Sequence, residues 1–316
     1  MIRKLLFVLL SIVVLGGCTQ EPPLRIGSNR WPGYEPLYLA RERGYFDNSA
    51  VRLVELPSST DVIQYLRNGS LEGGALTLDE VLSLCAQGID LRIVLVLDVS
   101  NGGDLLLARP GIDRLADLVG KRIGVESTGV GAILLHSALE AAGIPPERVT
   151  LVPLTLDEHE EAFLQGRVDA LVTFEPVRTK LLQRGAKVLY DSRRMPNPIL
   201  DVLAVRRQAL TRNPIALRTL VRGYFRARHF MEIHPREAAM LMAPRLEMKP
   251  GEFSRALTTL ILPTLADNHR WLAGDRPKLR ETAERLLDFM SRHRLIAGAC
   301  PVQSLATPDF LPAHDP

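Results

Sequence analysis

Arg122-Ile123-Gly124-Val125 is a short apolar run, and a helical stretch from Gly131 to Ala142 separates it from a second apolar run at Val149 to Pro153. This strand–helix–strand order decides the fold, because neighbouring parallel strands need a crossover connection of this kind. Apolar runs and helical stretches alternate in the same way from Leu24 to Tyr190. The pattern predicts an α/β protein built from βαβ units with mostly parallel sheets.

The chain after about residue 213 has a different pattern. Asn213-Pro214 combines a capping residue with proline at a first helical position, and apolar residues then recur at helical spacing. Further helices are predicted over residues 235–243, 250–266 and 278–293. No pattern continues beyond Gly298, so residues 298–316 are expected to form a loosely attached tail.

Composition gives only broad limits. The chain has 316 residues, of which 46% are hydrophobic and 24% charged, as in an ordinary soluble globular protein. This length suggests one large or two medium domains. The formal net charge of +3 is small, so it gives no reason to expect nucleic acid as a partner.

The N-terminus has the features of a secretory signal. Met1-Ile2-Arg3-Lys4 supplies positive charge, an apolar run from Leu5 to Leu15 follows, and small residues precede Cys18. The run is too short to span a bilayer, and Leu15-Gly16-Gly17-Cys18 resembles a bacterial lipobox. We expect residues 1–17 to be removed, Cys18 to carry lipid and residues 18–23 to act as a tether. The alternative is an ordinary signal peptide with a chance cysteine.

Two further cysteines, Cys85 and Cys300, show no metal-ligand spacing. Cys85 lies on the apolar face of a predicted helix, and we interpret it as a buried free thiol, since free cysteine packs as a small hydrophobe. A disulfide with Cys300 remains chemically possible in an oxidising compartment.

Several ordered segments resemble the nitrate/sulfonate/taurine-type solute-binding proteins of ABC importers, a group that includes thiamine-precursor-binding relatives. The first is Trp31-Pro32-Gly33-Tyr34-Glu35-Pro36, followed by Gly44-Tyr45-Phe46. The later ones, in chain order, are Leu76 to Val81, Asp98 to Asp104, Leu115 to Val125, Gly166 to Ala170 and Phe174-Glu175-Pro176. Each motif is short, and their order and spacing carry the resemblance, which covers roughly residues 24–270.

The resemblance implies a bilobed type II periplasmic-binding-protein fold with two mixed-sheet lobes and a ligand cleft between them. Lobe I would comprise residues 24–103 and 204–297, lobe II residues 104–203, with crossings near residues 101–106 and 200–205. Hinge closure would trap the ligand, and the closed protein would dock on the permease. The family implies a monomer without a cofactor, anchored in the cell envelope, and no enzymatic activity.

Candidate ligand residues follow the carboxyl ends of predicted strands, where open α/β sheets bind their ligands. They are Asn29, Trp31, Ser58, Ser59, Thr77, Ser100, Ser127, Thr128, Gly129 and Glu175. Trp31 would cover or stack on a ligand. Ser58-Ser59 and Ser127-Thr128-Gly129 each precede a helix, whose free N–H groups can hold an anion. Glu175 would pair with an amine or ring nitrogen, although capping of the following helix also explains it.

The ligand itself stays open at this point. Helix N-termini favour an anionic group, whereas Asp79, Glu80, Asp104 and Glu175 favour a cationic or hydrogen-bond-donating one. We rank a sulfonate or taurine-like solute first, a pyrimidine thiamine precursor second and nitrate third. A periplasmic adaptor for a sensor would share the same fold. Enzymes of this fold are cytoplasmic, which the signal peptide disfavours.

Overall fold

The computed structural model describes residues 22–126 and 129–314, which form two mixed β-sheets with helices on their faces. The predicted signal peptide at residues 1–17, the predicted lipid site Cys18 and most of the predicted tether 18–23 lie outside the described residues. The strands are β1 Leu24–Ser28, β2 Val51–Glu55, β3 Gly73–Thr77, β4 Leu91–Ser100, β5 Leu105–Ala108, β6 Arg122–Val125, β7 Thr150–Pro153, β8 Ala170–Thr173, β9 Lys187–Asp191, β10 Leu200–Arg206 and β11 Leu260–Ile261.

The helices lie between these strands and after β10. They are α1 Glu35–Glu42, α2 Ser59–Arg67, α3 Leu78–Ala86, α4 Val130–Ala141, α5 Leu156–Leu164, α6 Val177–Gln183, α7 Arg207–Arg212, α8 Pro214–Ile233, α9 Pro235–Met242, α10 Pro250–Leu257, α11 Leu265–Leu272 and α12 Lys278–Arg292. Within the described residues, none of them combines the length and apolar character that crossing a membrane requires.

Sheet topology confirms the bilobed, mixed-sheet prediction. The first sheet has the order β11-β4-β10-β3-β1-β2, and the second has the order β7-β6-β8-β5-β9. In the first sheet β1 runs parallel to β2 and β3, whereas β10 runs antiparallel to β3 and β4. In the second sheet β6 runs parallel to β7 and β8, and β5 is antiparallel to β8 and β9. We call the units around these sheets lobe I and lobe II.

The central strands of each sheet are buried on both faces, which explains why they are nearly continuous apolar runs. In β4, Ile93 to Leu97 are all fully buried, and their side chains divide between two apolar clusters: Val94, Leu95 and Leu97 belong to one, and Ile93 and Val96 belong to the other. One cluster packs against α1 and α8, and the other packs against α3 and α12. Lobe II repeats this arrangement with two smaller clusters around β5 and β8.

The chain passes between the sheets twice. Residues 101–104 connect β4 to β5, and residues 192–199 connect β9 to β10. The second connection lies earlier than the expected 200–205, because Leu200 to Val205 form a central strand of the first sheet. The apolar run in β10 predicts a strand. The alternation of strands and helices does not predict that this strand lies between β3 and β4 and runs antiparallel to both.

Two expectations about the C-terminal part are wrong. The helix predicted over 250–266 is two helices with β11 between them, since Pro263 can neither donate a helical hydrogen bond nor fit a helix interior. Residues 298–314 are not loosely attached: Val302, Leu305 and Phe310 are buried, and Ala306 bridges to Ile93 of β4. Their burial makes this segment part of the lobe I core.

The interpretation of Cys85 as a free thiol is also wrong. Cys85 and Cys300 form a disulfide, with their Cα atoms 5.3 Å apart. The bond ties α3 to the C-terminal segment across 215 residues of sequence. Helical periodicity placed Cys85 in the core, but it cannot show which distant residue faces it.

Candidate functional site

A small cavity, partly open to solvent, lies between the two sheets. Its volume is about 30 Å³, and both lobes line it. Lobe I contributes Asn29, Trp31, Tyr34, Ser59, Thr77, Glu80 and Asp201, whereas Asp104, Glu126, Val130 and Phe174 come from the first crossing and lobe II. Most of these residues follow the carboxyl ends of β1, β3, β6 and β8. The cavity therefore occupies the position at which open α/β sheets bind their ligands.

Trp31 forms a wall between the lobes. Its Nε1 donates a 2.9 Å hydrogen bond to Asp98 Oδ2. Its ring meets Phe174 of lobe II edge to face, with the ring centroids 5.5 Å apart. Gly33 lies against the same carboxylate, and any Cβ at that position would overlap Asp98 Oδ2. The Trp-Pro-Gly segment thus holds an aromatic ring against a buried acid.

Four carboxylates line the cavity: Glu80, Asp104, Glu126 and Asp201. Tyr34 donates its hydroxyl hydrogen to Asp201 Oδ1, and Thr77 donates its backbone N–H to Glu80 Oε2 over 2.9 Å. Two further buried acids, Asp79 and Asp98, lie behind them. The cavity is consequently surrounded by hydrogen-bond acceptors.

Burial raises the pKa of each of these acids, because removal from water disfavours the charged form. Burial raises the pKa of Asp104 to about 6, and the nearby carboxylate of Glu80 adds to the effect. It raises the pKa of Asp98 to about 7, against the hydrogen bond from Trp31. It raises the pKa of Glu126 to about 7 and that of Asp201 well above its usual value. At neutral pH several of these carboxyl groups are therefore partly protonated.

The N-termini of two helices, one in each lobe, face carboxylates of the opposite lobe. Glu126, at the end of β6 in lobe II, accepts a 2.8 Å hydrogen bond from Thr60 Oγ1 and another from the Thr60 backbone, in the first turn of α2. Glu80 of lobe I packs against Gly129, which precedes α4: a Cβ at Gly129 would lie 2.5 Å from Glu80 Oε1. Both helix dipoles therefore already have a negative partner.

Positive charge is scarce at this site. The described residues that line the cavity include no lysine, arginine or histidine. Arg178, in α6, pairs with Glu175, and Arg193, in the second crossing, pairs with Asp191. Asp104 Oδ2 is buried without a hydrogen-bond partner. The arrangement suits a ligand that donates hydrogen bonds. No cluster of described side chains could hold a metal ion.

Four of the predicted ligand residues meet at the cavity: Asn29, Trp31, Ser59 and Thr77. Ser58 instead caps α2, where its Oγ accepts from Asp61 N at 3.2 Å.

Ser100 lies at the first crossing. Its Oγ is 2.8 Å from Ser192 Oγ and accepts a 3.1 Å bond from the Asp104 backbone. It therefore joins the two crossings to each other and does not line the cavity.

Glu175 also lies outside the cavity lining. It is fully buried, and it accepts hydrogen bonds from Arg178 Nη1 at 2.9 Å and from Thr179 N at 3.0 Å. Its contacts match the capping alternative. Gly129 contacts Glu80 and borders a second cavity of about 260 Å³ beside α3, α4 and α12. Ser127 and Thr128 lie outside the described residues.

Sequence reasoning did not select Tyr34, Glu126, Phe174 and Val130 for the site. Glu126 had a usable signal, because it comes directly after β6 and one residue before the predicted Ser127-Thr128-Gly129 group. Phe174 likewise comes directly after β8. Tyr34 lies within the quoted Trp-Pro-Gly-Tyr motif, but only the folded chain shows that its hydroxyl reaches Asp201.

Comparisons with known proteins agree with this fold. The Escherichia coli taurine-binding periplasmic protein is 24% identical over 195 residues, which cover 60% of this chain and 61% of that protein. The match thus spans about three fifths of the relative's length. The Candida albicans 4-amino-5-hydroxymethyl-2-methylpyrimidine phosphate synthase is 25% identical over 225 residues and 66% of each chain.

The structure also resembles a solved periplasmic protein. The aliphatic sulphonate binding protein SsuA from Escherichia coli superposes with a TM-score of 0.75 at 19% identity, covering 92% of this chain and 99% of that one. This likeness confirms the periplasmic-binding-protein fold. The sequence profile described as NMT1/THI5 like matches residues 31–238, more than half of the chain. The protein therefore belongs to the NMT1/THI5-like family.

Proposed function

We propose that this protein is the extracytoplasmic solute-binding component of an ABC importer, which captures a small polar organic solute and delivers it to a permease. The main support for this proposal is the cavity between the lobes, which polar residues of both lobes line. The similarity to periplasmic binding proteins supports a periplasmic location, and Cys18 would anchor the mature chain by lipid. The protein would act as a monomer without a cofactor and without catalysis.

The small volume of the cavity implies that the lobes must separate to admit a ligand. A cavity of about 30 Å³ holds roughly two water molecules. The connections at residues 101–104 and 192–199 are the hinge candidates, since they alone join the two sheets within the described chain. Ser100 and Ser192 link these connections through their hydroxyl groups, so that both crossings would move together.

The named relatives support a sulfonate or taurine-like solute as the first candidate. The taurine-binding and sulphonate-binding proteins share this fold or part of this sequence. A pyrimidine thiamine precursor is the second candidate, because a pyrimidine synthase is also a relative. Nitrate and a sensor adaptor remain lower alternatives.

Thermal unfolding and calorimetric titration test the function. The mature protein is unfolded and refolded to remove carried-over solute, then screened with sulfonates, amines, pyrimidines, nitrate and a periplasmic extract. A ligand at a hundredfold over its Kd should stabilise the protein by about 2.7 kcal/mol. Absence of a shift with every compound and with the extract would refute the solute-binding proposal.

Membrane attachment needs a separate test. We expect the wild-type chain in the membrane fraction with an acylated Cys18, as shown by intact-mass measurement. A Cys18→Ala variant should be released or remain unprocessed. Wild-type protein that is found unacylated in the soluble periplasm would exclude the anchor while leaving the binding proposal intact.

A further inference from the structure

We propose that the cavity recognises its ligand through a positively charged nitrogen, an ammonium or amidinium group, which the carboxylates of Asp104, Glu80, Glu126 and Asp201 surround. The inference rests on the proposed function and deepens it, because it names the chemical group that the site selects. Taurine fits the class through its ammonium group. A sulfonate without a nitrogen does not.

The first support is the balance of charge. Four acidic side chains line the cavity, and none of the described lining residues is basic. An anion at this position would be repelled by each carboxylate that is ionised, and no basic side chain of the described lining would offset its loss of hydration. A cation with several N–H groups would instead find several acceptors within one small space.

The second support is an unused acceptor. Asp104 is 4% exposed, lines the cavity, and has an Oδ2 atom without a hydrogen-bond partner. Ser100 Oγ accepts from the Asp104 backbone N–H, and a hydrogen bond from Ser100 lowers the pKa of the Asp104 carboxyl group, but Oδ2 itself has no partner. Buried acceptors are normally satisfied, and an orphaned one requires an explanation. A donor on the ligand supplies that explanation.

The third support is that both candidate anion sites already have an acidic partner. Glu126 accepts hydrogen bonds from Thr60 at the start of α2, and Glu80 lies against Gly129 at the start of α4. A sulfonate or nitrate would have to displace these carboxylates to reach the helix N-termini. A cation would be held by the same carboxylates without displacing them.

Proton release is a further consequence. Without a ligand, burial holds part of the acid cluster in the protonated form at neutral pH. A cation favours the ionised form, so its binding should expel protons. The titratable and charged groups facing Asp104 and its neighbours are Glu80 and Asp79 from α3, Asp98 from β4, Asp201 from β10, Glu126 after β6, Asp61 from α2, Tyr34, and Tyr224 with Arg228 from α8.

The test is calorimetric titration of refolded protein with matched pairs in which one member has an amino group that the other lacks. The pairs are taurine and ethanesulfonate, ethanolamine and ethylene glycol, and 4-aminopyrimidine and pyrimidine. We expect at least one nitrogen-bearing member to bind, and its partner to bind at least tenfold more weakly. Titration with taurine or ethanolamine in buffers of different ionisation enthalpy at pH 7 should show net proton release.

The outcomes separate the two proposals. Ethanesulfonate, ethylene glycol, pyrimidine or nitrate binding as tightly as the nitrogen-bearing compounds would overturn the cation inference and leave the solute-binding function standing. Binding of taurine or ethanolamine with no net proton release would also contradict the inference. Failure of every compound and of the periplasmic extract would overturn both.

Variants localise the effect. Asp104→Asn should weaken binding of the nitrogen-bearing compound at least tenfold, whereas Asp104→Glu should restore part of the affinity. Asp169→Asn is the matched control, because Asp169 pairs with Arg122 in lobe II and does not line the cavity. Circular dichroism confirms folding. Equal affinity of wild type and Asp104→Asn would refute the assignment of this side chain.

Discussion

Thr60 Oγ1 donates a 2.8 Å hydrogen bond to Glu126 Oε1, and this bond joins α2 of lobe I to the end of β6 in lobe II. The two residues are 66 positions apart in sequence. Glu126 also accepts from the Thr60 backbone at the positive end of α2. Across the cleft, a carboxylate of lobe II thus contacts the N-terminus of a lobe I helix. Glu80 of lobe I contacts Gly129, at the N-terminus of α4 in lobe II, so the second contact runs from lobe I to lobe II.

Glu126→Gln should favour the open form. At pH 8 Glu126 is mostly ionised, because its raised pKa is about 7, and the amide lacks this negative charge at the start of α2. A hydrogen bond to a charged group contributes about 1.5–3 kcal/mol. A loss of this size shifts the ratio of open to closed protein by about tenfold or more. Small-angle X-ray scattering should then show a larger radius of gyration. Glu158→Gln, which alters an exposed cap in lobe II, is the control, and an equal increase in that variant would contradict the prediction.

The ligand-free protein should lose stability as the pH rises from 5 to 8. Groups whose pKa is raised by folding bind more protons in the folded state, so their contribution is complete below their unfolded pKa of about 4. It is lost as the pH passes the folded values of about 6 for Asp104, about 7 for Glu126 and about 7 for Asp98. Differential scanning calorimetry should show a lower Tm at pH 8 than at pH 5.

The Asp104→Asn variant provides the control for this pH effect. It removes one of the titrating groups, so the decrease in Tm between pH 5 and pH 8 should become smaller. Ion pairs lower the pKa of surface acids such as Asp169, so these acids affect stability only at more acidic pH. A Tm that increases from pH 5 to pH 8 in the wild-type protein would contradict the assignment.

Removal of the Cys85–Cys300 disulfide should destabilise lobe I. A cross-link between residues 215 positions apart restricts the unfolded chain strongly, and native disulfides commonly contribute about 2–4 kcal/mol. Urea unfolding of the Cys85→Ala/Cys300→Ala double variant measures the loss. The wild-type protein with dithiothreitol should approach the variant, and dithiothreitol should not affect the variant itself. An unchanged unfolding midpoint would show that the bond does not stabilise the fold.

Glu175→Gln should lower stability without weakening ligand binding. The change leaves Arg178 without its ionic partner and weakens the acceptor for Thr179 N, a loss of about 1–3 kcal/mol for buried groups. Chemical unfolding measures the stability, and titration with the best ligand measures the affinity. Arg178→Met, which removes the other partner, should have a similar effect. A large loss of affinity at unchanged stability would place Glu175 at the ligand after all.

Local pattern was sufficient for most of the elements. Alternating apolar runs and helical stretches predicted β6 at its observed bounds and α4 within one residue of its bounds, because periodicity and glycine stops act over a few residues. Trp31, Asn29 and Thr77 could be placed near a cleft since they follow strand ends. The family resemblance supplied the bilobed arrangement, which periodicity does not contain.

Long-range contacts account for what the pattern did not show. β10 enters the first sheet between β3 and β4, and Cys300 meets Cys85. Glu175 finds Arg178 within its own helix start and so does not face the cavity.

The sequence by itself determined the α/β class, the strand ends that carry polar residues and the family, since these depend on local order along the chain. Only the tertiary structure decided the character of the site. Glu80, Asp104, Glu126 and Asp201 come from four separate parts of the chain, and only when they converge do they form an acidic cavity. Their burial in one small space raises each pKa and turns ordinary carboxylates into a candidate selector for positive charge.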